Sequence, residues 1–111
     1  MGMERAVLVY TTFPSLVEAE AVGKVIVERR LAACVNILPG MISHYWWEGR
    51  VERAEEAVAI FKTRESLAAQ VSDAVREHHS YTTPAIVVLP VESMEQGYFS
   101  WLLSATQPAS L

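Results

Sequence analysis

Apolar and polar positions along the chain follow two alternating periods. Ala6 to Tyr10 is a continuous apolar run with β-branched residues, the pattern of a strand buried on both faces. Thr11 to Pro14 break it. Ser15 and Glu18 form a Ser-x-x-Glu capping box behind Pro14, and Val22, Val25, Ile26 and Arg29 keep helical spacing. Arg29 and Arg30 close this helix with the charge that its C-terminus favours. A second strand runs from Ala33 to Leu38. Pro39-Gly40 signals a bend or bulge, after which extended structure resumes from Met41 to Trp47. Glu48-Gly49 reads as a hairpin turn, and Arg50 to Thr63 returns with mostly period-two polarity. Leu67, Val71, Ala74, Val75 and His78 share one face of a second helix, which Tyr81 to Pro84 end. Ala85 to Val91 is a fourth strand. Ser93 with Gln96 forms a second capping box, ahead of a short third helix whose core face carries Met94, Tyr98, Trp101, Leu102 and Ala105.

The predicted order is β-α-β-β-α-β with an extra C-terminal helix: an α+β, ferredoxin-like sandwich forming one domain over residues 1–111. Each crossover carries a helix, as parallel neighbours require. Strand lengths add a constraint. Arg50 to Thr63, fully extended, spans on the order of 45 Å. A helix from Leu16 to Arg30 covers only about 22 Å. The tip of the long hairpin is therefore expected to overhang the helices. It carries "SHYWWEGRVER", and Tyr45, Trp46 and Trp47 there would expose ring surface and free strand edges unless another subunit covers them. The alternative is that these rings cap their own core.

Composition narrows the classes. The chain has 111 residues, a net charge of −4 and no basic run, so no nucleic-acid partner is expected. Arg50 and Arg53 are interleaved with Glu48, Glu52, Glu55 and Glu56, which also argues against a stacking platform for bases. One cysteine, Cys34, suits a reducing compartment, and no stretch is long enough to span a membrane, so a cytoplasmic location is expected. Met1-Gly2 begins like a myristoylation signal, but Ala6 stands where serine or threonine is wanted.

Four stretches, "LAACVNILPGMISHYWWEGRVE", "FKT", "HHSYTTPAIVVLPV" and "YFSWL", resemble the CutA family of divalent-cation tolerance proteins, in order and spacing from about Val7 to Ala105. The resemblance implies a homotrimer of ferredoxin-like subunits with long hairpins paired between neighbours. It also implies a link to copper and other divalent ions. The trimer architecture is similar to that of the PII signalling proteins, which bind small ligands between subunits. The chain departs from the family at His79-Ser80-Tyr81-Thr82, where His-Pro-Tyr-Glu or His-Pro-Tyr-Gln is usual, and at Pro84-Ala85 in place of Pro-Glu. Some members also carry a cysteine where this chain has Tyr10 and Thr11.

Three chemistries follow. A divalent metal such as copper would use His79 and His78, which converge only if the helix ends there, with Cys34 as a soft third ligand. Against this, His78 falls on the apolar stripe of its helix, so His79 is the better ligand candidate, and Cys34 in "AACV" reads first as a small buried hydrophobe. His44, in the hairpin, has no evident partner. The second chemistry is an intersubunit cleft for a small anionic ligand, with Lys62 as the cation and Tyr81, Glu56 and Trp101 lining it. The third, catalysis, is not expected: there is no Ser/His/Asp constellation, no glycine-rich phosphate loop and no paired carboxylates. Acylphosphatases share this topology but need an arginine-bearing loop, which Thr11 to Ser15 is not. No organic cofactor is expected.

Overall fold

The computed structural model describes residues 4–107; Met1-Gly2 lie outside the described residues. The elements are β1 (Ala6–Phe13), α1 (Leu16–Glu28), β2 (Cys34–Trp47), β3 (Arg50–Arg64), a single 3₁₀ turn (Glu65–Leu67), α2 (Ala68–His78), β4 (Ile86–Pro90) and α3 (Gln96–Ala105). One four-stranded sheet has the order β2-β3-β1-β4, with every neighbouring pair antiparallel. The fold is therefore α+β, as expected. The expected parallel neighbours do not occur. β1 and β2 run in the same direction but β3 lies between them, and β1 likewise separates β3 from β4, so each helix crosses over an inserted strand.

The apolar period now has a direction. Val9 and Phe13 of β1 and Ala57, Ala59 and Phe61 of β3 pack with Ala19, Val22 and Ile26 of α1 and Val71, Ala74 and Val75 of α2 in one core. Successive strand residues face opposite sides, so Leu8, Tyr10, Ile60 and Lys62 point away from α1 and α2. A smaller cluster on that other side, Ala6, Ala33 and Leu102, seats α3 over one end of the sheet. α1 approaches β2 closely at Gly23, where an added Cβ would sit 3.1 Å from Val35 Cγ1.

Several boundaries differ from expectation. β1 continues through Thr11 to Phe13, because Thr11 and Thr12 pair with Ala59 and Val58 and are buried. Ser15 Oγ caps α1 by accepting from Glu18 N–H at 3.1 Å, as the capping box requires. Glu18 does not return the bond to Ser15; its carboxylate accepts from Ser80 N–H and Oγ–H instead. α3 is capped by Glu95, whose carboxylate accepts from Tyr98 N–H at 2.7 Å, rather than by Ser93. That bond holds the exposed Glu95 carboxyl below its usual range. Of the apolar stripe on α3 only Leu102 is fully buried, while Tyr98 and Trp101 are exposed. The far end of α3 is tied down by two arginines. Arg30 Nη1–H donates to Ala105 O at 3.2 Å, Arg64 Nε–H donates to Thr106 Oγ1 at 2.9 Å, and Arg64 Nη2–H donates to Leu103 O.

The hairpin behaves as its length demands. The long dimension of the molecule is 48 Å, and β2 carries a bulge between Leu38 and Met41, with Gly40 at φ 77°. Glu48 (φ 50°) and Gly49 (φ 80°) form a two-residue turn with both central residues left-handed. A Cβ at Gly49 would meet nothing within 4 Å, so a side chain there costs backbone strain alone. Gly49→Ala is expected to lower stability by about 1–2 kcal/mol, read as a lower urea midpoint with an unchanged slope.

Candidate functional site

Two polar clusters lie on the sheet, one where β1 and α2 end and one under α3. The first is organised by His79. α2 stops at His78, and His79 takes an extended backbone (φ −81°, ψ 140°) that turns its ring inward. The imidazole, 0% exposed, stacks on Phe13 with centroids 4.5 Å apart and planes 12° apart. Its Nε2–H donates to Thr12 O at 2.6 Å, and its Nδ1 accepts from Tyr81 N–H at 3.0 Å. This pairing assigns the proton to Nε2. Glu18 Oε2 lies 3.7 Å from Nδ1, yet an accepting Nδ1 gives no ion pair there; the carboxylate is held by Ser80 N–H at 3.1 Å and Oγ–H at 3.0 Å.

Beside His79, Glu56 is nearly buried, at 8% exposure. Its Oε2 accepts from Tyr81 OH at 3.0 Å and from Thr12 Oγ1–H at 3.3 Å. Burial, followed by the bond to the Glu56 carboxylate, pushes the Tyr81 phenol up to about 12. On the same strand pair, Met41 sits opposite Glu56, and Tyr10 OH donates to Met41 Sδ at 3.6 Å.

The second cluster centres on Lys62. Its Nζ donates to Tyr98 OH at 3.2 Å and lies 5.3 Å from that ring's centroid. The hydrogen bond favours the charged ammonium and raises its pKa against a smaller opposing effect of burial. Cys34, directly opposite Lys62 in the sheet, brings its Sγ to 3.8 Å from the same phenol oxygen. Tyr98 and Trp101 lie with ring centroids 5.2 Å apart, tilted by 41°.

Measured against expectation, the two histidines exchange places. His78 is exposed, with Nδ1 on Ala74 O at 2.9 Å, whereas His79 is the buried one. The inward turn of the chain at His79, not the helical stripe, decides this. They do not converge, and Cys34 belongs to the other cluster. Among the described residues no three His, Cys, Asp or Glu side chains are grouped closely enough to hold a metal ion. Within one chain, the residues expected to line an intersubunit cleft fall into two clusters. Tyr81 and Glu56 meet in one, Lys62 and Trp101 belong to the other, and Glu56 and Lys62 are separated by six residues of β3, about 20 Å. Tyr98, assigned to the core by periodicity, is the residue that links Lys62, Cys34 and Trp101; its three-residue spacing from Trp101 was the available signal. Tyr45, Trp46 and Trp47 are 42%, 75% and 57% exposed, so they do not cap their own core. His44 is exposed opposite Arg53.

Comparison with known proteins places these observations. Residues 7–105 match the family model described as CutA1 divalent ion tolerance protein. A divalent-cation tolerance protein CutA of Archaeoglobus fulgidus is 47% identical over 85% of this chain and 91% of its own length. Human protein CutA is 36% identical over 91% of this chain and 56% of its own. The A. fulgidus structure, described as a periplasmic divalent cation tolerance protein, superposes with a TM-score of 0.89 at 43% identity, covering 92% of this chain and 99% of that one. CutA1 from Oryza sativa superposes with a TM-score of 0.90 at 37% identity, covering 95% and 96%.

The Tyr81 environment generates a pH signature. A phenol ordinarily ionises near pH 10, so between about 10 and 12 the unfolded chain loses this proton while the folded one keeps it. The folded state then binds more protons and stability falls as pH rises through that window. Urea midpoints measured from pH 9 to 12 should fall less steeply in Tyr81→Phe than in the parent protein.

Proposed function

The chain belongs to the CutA1 divalent ion tolerance family, and from that premise we propose that it acts in divalent-cation tolerance as a homotrimer taking up copper or a similar cation. The observation that carries the assembly is the hairpin. Trp46 and Trp47 stand exposed at its tip with Val51 beside them, and Leu38 and Ile42 are exposed further down. β2 is an edge strand with one side unpaired. Rings and an open edge of this size favour burial against other copies of the chain.

The cation is supported by the printed descriptions of the relatives and by His78. Its Nδ1 is engaged by Ala74 O, no hydrogen bond engages Nε2 among the described residues, the residue is exposed, and imidazole suits copper(II). His79 would ligate only by giving up Thr12 O or Tyr81 N–H, and Cys34 would add a soft thiolate only from the other cluster. The role proposed is binding rather than catalysis. The single cysteine supports a reducing, cytoplasmic setting.

A second reading, a PII-like sensor of a small anion, is favoured by Lys62, which is half-buried and carries a raised pKa on the open face of the sheet.

Two measurements test these readings. In sedimentation, the parent should run as three chains, and Trp46→Ala with Trp47→Ala should shift it toward the monomer and lower its melting temperature; an unchanged mass and melting point sink the assembly. Calorimetric titration of tag-free protein with copper(II) should saturate near one ion per subunit, with affinity lower by on the order of tenfold in His78→Ala. Indifference to that change refutes His78 as a ligand.

A further inference from the structure

We infer that the step between α3 and the open sheet face is a binding subsite for a small aromatic anion, a flat ring bearing a carboxylate or phosphate. Lys62 would meet the charge, and Tyr98 with Trp101 would meet the ring. The inference deepens the small-anion reading above and rests on it, while copper uptake at His78 is independent of it.

The floor of the step is one row across the sheet. Leu89, Leu8, Lys62 and Cys34 are consecutive cross-strand partners on the face turned away from α1 and α2. Ile60, two residues before Lys62, adds apolar surface on the same side. The wall is α3, held over the neighbouring end of the sheet by Leu102 in the small core. Lys62 is half-buried in this setting and has three N–H donors, of which the structure uses one, on Tyr98 OH. Among the described residues no carboxylate lies within salt-bridge distance of Nζ. The nearest cation on the same strand face, Arg64, is committed to the end of α3. A partly desolvated ammonium with free donors and no counter-charge favours an anion.

The rings define the rest of the ligand. Tyr98 and Trp101 are 36% and 45% exposed, and the Tyr98 ring centroid lies 5.3 Å from Lys62 Nζ. The two rings are neighbours, with centroids 5.2 Å apart and planes tilted by 41°, and stacking on aromatic faces selects a flat partner. An aliphatic anion would use Lys62 alone, and a neutral ring would use the wall alone.

The test is calorimetric titration of the full chain with 1-naphthoate and with adenosine 5′-monophosphate, beside acetate, inorganic phosphate and adenosine. At least one aromatic anion should saturate near one per subunit, on the order of tenfold or more tighter than acetate, phosphate and adenosine. Which of the two binds separates a carboxylate ligand from a nucleotide. Lys62→Met should weaken it on the order of tenfold or more, and Trp101→Leu about tenfold, with the far-ultraviolet spectrum unchanged. If Lys62→Met does not fold, reductive methylation of the parent protein decides: the saturating probe should slow modification of Lys62 specifically. No saturable binding of either aromatic anion overturns the inference. So does phosphate binding as tightly as the nucleotide, indifference to Lys62→Met, or an unprotected Lys62. Each of these leaves copper uptake at His78 untouched, and failure of that uptake leaves this subsite standing.

Discussion

Everything in this molecule is registered against β3. The strand is paired with β2 from Arg50 to Lys62 and with β1 from Ala57 to Arg64, so only its second half is enclosed on both edges. Burial follows the pairing. Ala57, Ala59, Phe61 and Thr63 lie beneath the helices at 1% exposure or less, whereas Arg50 to Glu55 face solvent or lie at the margin. Glu56 stands at the boundary, the last residue before β1 joins the sheet. The β2 bulge falls beside it, between Leu38 and Met41. A bulge there changes the twist at the point where the support changes, so the hairpin leaves the domain as a separate ribbon.

That boundary also explains why a carboxylate can be nearly buried. Glu56 is covered by Tyr81 from the segment after α2 and by Thr12 from the end of β1, and both donate to it. Tyr81 is itself placed by His79, which reads the backbone of Thr12 with one nitrogen and that of Tyr81 with the other. Ser80, at the position where the family resemblance leads one to expect proline, donates two hydrogen bonds to Glu18 of α1. A proline could make neither of them, so the departure has a local structural use here. The group is best understood as a joint fastening α1, α2 and the β1 end to the root of the hairpin.

The strands, the turn at Glu48-Gly49, the bulge and the overhang were legible because each depends on local chemistry: period, turn residues and length. The errors share a cause. Helical period placed His78 inward and His79 outward, but the α2 axis ends between them and the backbone turns. Period likewise placed Tyr98 and Trp101 in the core, yet on α3 only Leu102 is fully buried, while Tyr98 and Trp101 are exposed, Tyr98 beside the Lys62 and Cys34 side chains. Thr11 and Thr12 read as a break because their polarity was visible and their cross-strand partners were not. The split of Lys62 from Glu56 was readable in principle, since six residues of a strand put them apart. What no sequence pattern supplies is which residue of a distant helix reaches Lys62 and Cys34, as Tyr98 does.

The two arginines at the end of α3 make its anchoring depend on distant parts of the chain. Arg30 comes from the turn after α1, where its backbone is left-handed at φ 61°, and Arg64 closes β3. Both are far from the carbonyl end of α3 in sequence, so these two anchors are not local to the last helix. Full anchoring of α3 therefore requires the closed sheet, and displacement of either distant segment releases part of its carbonyl end.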